Sequence, residues 1–163
     1  MKVYLCGPIR GIAFGESQDW RAHAEQRLTE LGHTVFTPMA GKDYLSKETI
    51  IKGTYEEHPL STAVGIVNRD RFYVKQCDAI LANFTGATKA SVGSVCEVAW
   101  AHIWHKFIVL VIDKPYPENP HNHPFLTQVG VVVPTLDDAI DAIHVSRGRT
   151  LQKIHKWIWR NPF

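Results

Sequence analysis

Apolar positions along this chain fall into two alternating patterns. Short continuous runs (Val-Tyr-Leu-Cys at 3–6, Ala-Ile-Leu-Ala at 79–82, Phe-Ile-Val-Leu-Val-Ile at 107–112) are separated by longer stretches where apolar residues recur every third or fourth position. The runs have the length of buried strands, and the spaced stretches have the period of amphipathic helices. The first strand, Lys2–Cys6, closes at Gly7-Pro8, and a helix over 17–31 follows, with Ser17 as its N-cap and Gly32 as its stop. Residues 33–38 read as a second strand. Residues 39–62 are polar, Gly/Pro-punctuated and aperiodic, which predicts a long, variable active-site loop. Thr62 can cap a helix to about residue 76, 78–84 form a third strand, 93–106 a helix, and 107–112 and 129–133 the last two strands. Thr135 caps a final helix that carries Leu136, Ala139, Ile140 and Ile143 on one face.

Strands that alternate with helices predict a parallel sheet covered on both faces. Five short strands suit a single flavodoxin-like (Rossmann-like) α/β domain of order 2-1-3-4-5. In that order the sheet reverses between its first and third strands, and ligands bind beyond their carboxyl ends. Two loops then converge on one crevice: Gly7-Pro-Ile-Arg-Gly11 and the segment from Phe84 to Glu97.

Composition narrows the setting. At 163 residues and 45% apolar, the chain fits one compact domain, assigned to residues 1–145, with 146–163 as a tail helix packing on the domain or on a neighbouring subunit. A net charge of +2 gives no reason to expect a stable nucleic-acid partner. The basic and aromatic Lys153-Ile-His-Lys-Trp-Ile-Trp-Arg160 reads first as part of that tail helix, with nucleic-acid or membrane binding as the alternative. No apolar run reaches membrane-spanning length, and no signal-peptide pattern precedes the first strand. Cys6, Cys77 and Cys96 lie in or beside core elements and read as buried thiols, which points to the cytoplasm. His102 with His105 and the two histidines of Asn119-Pro-His-Asn-His-Pro-Phe125 lack matching carboxylate or cysteine sets, so neither a metal nor a cofactor is expected.

The richest stretch chemically is Ser91-Val-Gly-Ser-Val-Cys-Glu97, which follows a buried-strand run and opens a helix. Free N–H groups at that helix start point into the crevice, and the helix dipole is expected to keep Glu97 ionised. A fixed carboxylate there is a nucleophile, a general base or a ribose-hydroxyl clamp. Gly7, Ile9, Arg10 and Gly11 form a tight turn in which small residues allow close backbone approach and Arg10 offers a planar fork to a phosphate. It is neither a Walker loop nor a GxGxxG fingerprint. Asp70 lies on the helix before the third strand and reaches the crevice only if that helix end points there. Tyr4 sits where core packing is the default, yet its hydroxyl could reach a crevice carboxylate. Ser91 and Ser94 could donate to phosphate or sugar oxygens, and Gly93 leaves room beside them.

Taken together, these residues resemble the nucleoside 2-deoxyribosyltransferase superfamily, which includes the 2'-deoxynucleoside 5'-monophosphate N-glycosidases. The resemblance runs over most of residues 1–145: Val-Tyr-Leu-Cys-Gly-Pro, the Asp70 region, Cys-Asp-Ala-Ile-Leu-Ala-Asn, Gly-Ser-Val-Cys-Glu-Val-Ala-Trp-Ala and the His-Pro-Phe loop. It implies Glu97 as a nucleophile forming a glycosyl–enzyme, Asp70 as the acid/base group and Tyr4 as the residue that orients Glu97. It implies a small nucleoside or nucleotide substrate held by Gly7, Ile9, Arg10, Gly11, Ser91, Gly93, His123 and Phe125. It further implies a homodimer or larger homo-oligomer with shared active sites. Two positions depart from the transferases. Ser91 stands where they carry an Asp, and His123 stands at or near the place of an Asn contributed by a neighbouring subunit. Ser91 and the Ile9-Arg10-Gly11 run look like the monophosphate N-glycosidases. The alternative is a nucleotide-sensing module that binds without turnover.

Overall fold

The computed structural model describes residues 1–147, and the expected tail helix lies almost wholly outside the described residues. The elements run β1 (Lys2–Cys6), α1 (Phe14–Glu30), β2 (Thr34–Phe36), α2 (Ala63–Gln76), β3 (Ala79–Asn83), α3 (Val92–Ile103), β4 (Phe107–Val111), α4 (Pro124–Thr127), β5 (Val131–Val133) and α5 (Leu136–Ser146). All four strand pairings are parallel, in the order β2-β1-β3-β4-β5. The doubly wound sheet expected from the pattern is the fold of this protein.

Side chains alternate across the sheet, and that alternation builds two cores. Val3 and Leu5 of β1 join Leu81, Val109, Leu28, Ala139, Ile140 and Ile143 beneath α1 and α5. Tyr4 and Cys6 point the other way and join Ile80, Ala82, Leu110, Val98 and Ala101 beneath α2 and α3. The face of α5 named from its spacing is buried at Ala139, Ile140 and Ile143. Thr62 Oγ1 accepts from the Gly65 N–H at 3.0 Å, and Thr135 Oγ1 from the Asp138 N–H at 3.2 Å, so both expected caps form.

Four local expectations are corrected. Helix α1 begins at Phe14 with Ala13 as its N-cap. Ser17 lies inside the first turn, where its hydroxyl donates to the Phe14 carbonyl, because the chain, tied to Ile51 at residues 11 and 12, enters the helix directly after that tie. Residues 39–62 hold two 3-10 turns, Asp43–Lys47 and Pro59–Ser61, and their own small core of Met39, Leu45, Ile51 and Tyr55. Aperiodic spacing concealed a folded unit, since a cluster built from isolated residues needs no period. Strands β2 and β5 are three residues each, shorter than their apolar runs. Cys6 and Cys77 are buried, whereas Cys96 is exposed on the outer side of α3. Among the described residues no helix is long and apolar enough to cross a membrane.

Candidate functional site

Beyond the carboxyl ends of β1 and β3, where the strand order reverses, a cleft of about 660 Å³ opens. Its size is that of a small-molecule site. Residues 7–12 after β1 form one wall and residues 83–94 another. The third wall comes from the 39–62 segment and α2, through Lys42, Leu45, Ile51, Tyr55, Ile66 and Asp70.

The chain after β1 turns sharply against its neighbours. A Cβ on Gly7 would lie 2.8 Å from both the Asn83 carbonyl oxygen and Trp20 Cζ2, so only glycine fits. The Gly7 carbonyl accepts from Arg21 Nη2 at 2.8 Å. Arg21 is fully buried in α1, and burial lowers its guanidinium to about 10. Gly11 holds a positive φ of 84°, and its N–H donates to the Ile51 carbonyl at 2.9 Å. Arg10 is exposed and lies along Gly53. This tie joins the first loop to the 39–62 segment.

Glu97 lies at the floor, 7% exposed. The Tyr4 hydroxyl donates to its Oε1 at 2.8 Å, and the Cys6 thiol donates to the Ser94 carbonyl at 3.7 Å. Both donors follow from the strand alternation that turns Tyr4 and Cys6 toward α3. Glu97 is the sixth residue of α3, past the turn where the helix dipole acts strongly, and this corrects the expected ionised state. Burial, reinforced by the Asp70 charge, lifts its carboxyl to about 7, against the neighbouring Cys6 thiol and the hydrogen bond from Tyr4. Tyr4 itself is held well above its ordinary value by burial and by Glu97.

Asp70 reaches the same cleft, because α2 runs with its carboxyl-terminal half over β1. Burial raises its carboxyl, while Arg69 opposes the rise. Arg69 donates to Asp70 Oδ1 from Nε at 3.1 Å and from Nη2 at 2.9 Å, and to the Pro38 carbonyl at 2.8 Å. Both donations fall on one carboxylate oxygen, and Oδ2 has no partner among the described residues.

At the amino end of α3, Ser91 caps the helix without a side-chain hydrogen bond. Its N–H donates to His121 Nε2 at 2.9 Å, and its hydroxyl pairs with that of Ser94 at 2.9 Å. The His121 ring is buried and stacked on Phe84, with centroids 3.9 Å apart, and burial pulls it down to about 4. It is a neutral acceptor. Asn119, also buried, donates to the Phe84 carbonyl at 2.8 Å. Those two residues brace the 84–91 loop from behind.

The structure therefore gathers Gly7, Ile9, Arg10, Gly11, Asp70, Ser91, Gly93 and Glu97 around one cleft, with Tyr4 directly beneath. It does not bring His123 or Phe125 there. His123 caps α4, accepting from the Phe125 N–H at 3.3 Å, and both side chains are exposed, Phe125 by 86%. Ser94, read as a donor beside Ser91, also lines the cleft, whereas Lys42, Arg69, Asn83 and His121 were not legible as site residues beforehand. Adjacent helical residues do not normally face each other, so nothing marked Arg69 as the partner of Asp70. Among the described residues no group of three or more His, Cys, Asp and Glu side chains is placed to hold a metal.

Fold and site together define an open α/β protein with two buried carboxylates at its topological switch point. The chain belongs to the nucleoside 2-deoxyribosyltransferase family, whose model matches residues 3–138. Among solved structures it is similar to the CMP N-glycosidase BcmB of Clostridium botulinum, with a TM-score of 0.55 and 14% identity over 90% of this chain and 99% of that one. It is also similar to the molybdenum cofactor binding protein of Rippkaea orientalis, with a TM-score of 0.57 and 14% identity over 90% and 96% of the two chains. DNA processing protein A of Helicobacter pylori aligns with a TM-score of 0.57 and 13% identity, over 90% of this chain and 81% of that chain. At such identities these likenesses are of fold alone. No match was found among curated protein sequences.

Proposed function

We propose that this protein cleaves the N-glycosidic bond of a 2'-deoxynucleoside or its 5'-monophosphate, with Glu97 as the nucleophile. The observation that carries this reading is the buried Glu97 held by Tyr4 at the floor of a cleft that also receives Asp70. Glu97 attacks C1' as the bond to the base breaks and its electron pair passes to the base nitrogen. A protonated Asp70 gives its proton to the departing base. The glycosyl–Glu97 ester then passes its sugar to a second base or to water.

The rigid Tyr4 hydroxyl donates to one carboxylate oxygen and leaves the other to react. At the other end, the N–H groups opening α3 and the Ser91 and Ser94 hydroxyls suit the sugar-phosphate end, where a carboxylate at position 91 would repel it. Gly7, Ile9, Gly11 and Gly93 shape that wall, and Arg10 can swing from Gly53 toward a phosphate. No cofactor takes part in this chemistry. A homodimer is also part of this reading. Val92, Cys96, Ala99 and Ile103 form an exposed stripe along α3 beside exposed Val64 and Val67 of α2, and His123 and Phe125 are free to reach a partner's cleft.

The test is chromatographic. The protein is incubated with each deoxynucleoside and each 5'-monophosphate, with and without a second free base, and free and exchanged bases are quantified. Base released without an acceptor, mainly from monophosphates, identifies an N-glycosidase. A new nucleoside formed only with an acceptor identifies a deoxyribosyltransferase. No product from any of them overturns the reading in favour of a nucleotide-binding module. Elution as a monomer in size-exclusion chromatography would overturn the dimer.

A further inference from the structure

Among the charged residues that line the cleft, Lys42, Asp70 and Glu97 are buried, and of these Lys42 is the one the proposed chemistry leaves unexplained. It precedes the first 3-10 turn of the 39–62 segment, fixed by its own N–H donating to the Met39 carbonyl at 3.1 Å. The residue is 6% exposed and lines the cleft. None of the ion pairs among the described residues includes it, and its ammonium makes no hydrogen bond there. The charges around it are Arg69 and Asp70 on α2, Arg21 on α1 and Glu97 on α3. Asp70 Oδ1 accepts twice from Arg69, and no carboxylate lies within ion-pair distance of the Lys42 ammonium, so Lys42 has three donors and no acceptor among the described residues. Burial, with Arg69 next, depresses its ammonium to about 8. The stem of Lys42 is buried while its ammonium opens to the cleft, where a ligand acceptor would offset its partial desolvation.

The wall around Lys42 limits what that acceptor belongs to. Leu45, Ile51 and Ile66 are apolar, and Tyr55 offers a ring edge. A flat ring with apolar faces and a polar rim fits such a wall, and the Glu97 carboxylate disfavours an anionic group placed against it.

We propose that Lys42 selects the base, by donating from its ammonium to a ring carbonyl of an oxo base and disfavouring bases that present an exocyclic amine there. This rests on the reading of Glu97 and Asp70 given above. As the bond to C1' breaks and the Glu97 oxygen bonds to C1', the electron pair left on the base spreads onto that carbonyl oxygen. Lys42 stabilises the charge there by a hydrogen bond while Asp70 supplies the proton to the ring nitrogen. Adenine presents an amine where hypoxanthine presents a carbonyl, and cytosine where uracil does, so these pairs isolate the contact.

The experiment compares wild type, Lys42→Met and Lys42→Arg on the hypoxanthine/adenine and uracil/cytosine deoxynucleosides and their monophosphates. Wild type is expected to favour the oxo member of each pair by about 10-fold or more in kcat/KM, the scale of a hydrogen bond to a charged group. Lys42→Met is expected to lose about 10–100-fold on the oxo member and under about 3-fold on the amino member, and Lys42→Arg to retain part of the preference. The melting temperature of Lys42→Met is expected to equal or exceed that of wild type, since a partly desolvated charge without an acceptor is removed. Equal losses on both members, a wild-type preference for amino bases, or a lowered melting temperature with uniform loss would each overturn the proposal.

Titration calorimetry with free hypoxanthine and adenine separates this proposal from the reading beneath it. If the wild type turns over no substrate, that reading fails. The Lys42 assignment still stands if the wild type binds hypoxanthine about 10-fold tighter and Lys42→Met does not. Equal binding of the two bases, or binding of neither, overturns it.

Discussion

The floor and the outer wall of the cleft are built by different physics. Tyr4, Cys6 and Glu97 sit on a five-stranded sheet and a helix, in the larger of the two buried layers, and their positions are set by the core beneath them. The wall from residues 39–62 rests on four buried apolar residues and on backbone ties to residues 11 and 12. A floor locked by the sheet holds a reacting carboxylate to within a narrow geometry. A wall with a small core of its own can vary its residues without disturbing that geometry. Under the function proposed above, the chemistry falls to the floor and the choice of base to the wall.

Replacing the proposed nucleophile is the strongest way to break that division. Glu97→Gln is expected to lower kcat by at least about 10³-fold in the base-release assay, with the far-ultraviolet circular dichroism unchanged. The same variant probes the cost of the floor. Because the folded carboxyl is lifted above its unfolded value to about 7, the group favours the folded state at low pH and opposes it as pH rises through 7. Glu97→Gln is therefore expected to raise the melting temperature at pH 8 and to raise it less at pH 5, by calorimetry. An equal effect at both pH values would remove the buried-acid account.

A smaller effect is expected at Tyr4. Tyr4→Phe keeps the ring in the core but removes the donor to Glu97, and is expected to cost about 10–100-fold in kcat/KM. That donor holds the Glu97 carboxyl down, so its loss is expected to move the rising limb of the pH–rate profile to higher pH. A uniform drop with no shift would make Tyr4 a packing residue.

The wall answers differently. Leu45→Ala empties part of the small 39–62 core and is expected to raise KM more than it lowers kcat, with a stability loss of about 2 kcal/mol in urea denaturation. A loss confined to kcat would place the wall in the chemistry and erase the contrast. The smallest expected effect is at the cap of α2. Thr62→Ala removes the acceptor for the Gly65 N–H and is expected to cost about 1 kcal/mol of stability with little change in kcat/KM.

The fold was largely legible, because buried strands and amphipathic helices leave their periods in the chain. The convergence of Gly7 to Gly11 with Ser91 to Glu97 followed from strand order alone. The ionisation of Glu97 was misread, since a position one turn into a helix suggests a dipole-stabilised carboxylate while the cost of burial depends on what lies across the cleft. The order within 39–62 was missed because Met39, Leu45, Ile51 and Tyr55 have no common spacing. Lys42 was missed for the same reason, being one lysine among many polar residues in an aperiodic stretch.

By itself the sequence determined the sheet, its strand order, the placement of Tyr4 and Cys6 on one face, and the two loops that meet above them. These follow from periods of two and 3.6 and from the handedness of parallel crossovers, which act locally along the chain. Only the tertiary structure decided that Arg69 meets Asp70, that His121 holds Ser91 from behind, and that Lys42 stands in the cleft with no ion-pair partner among the described residues. Those facts depend on which side chains share a buried volume, and burial sets protonation and donor balance through space rather than through sequence.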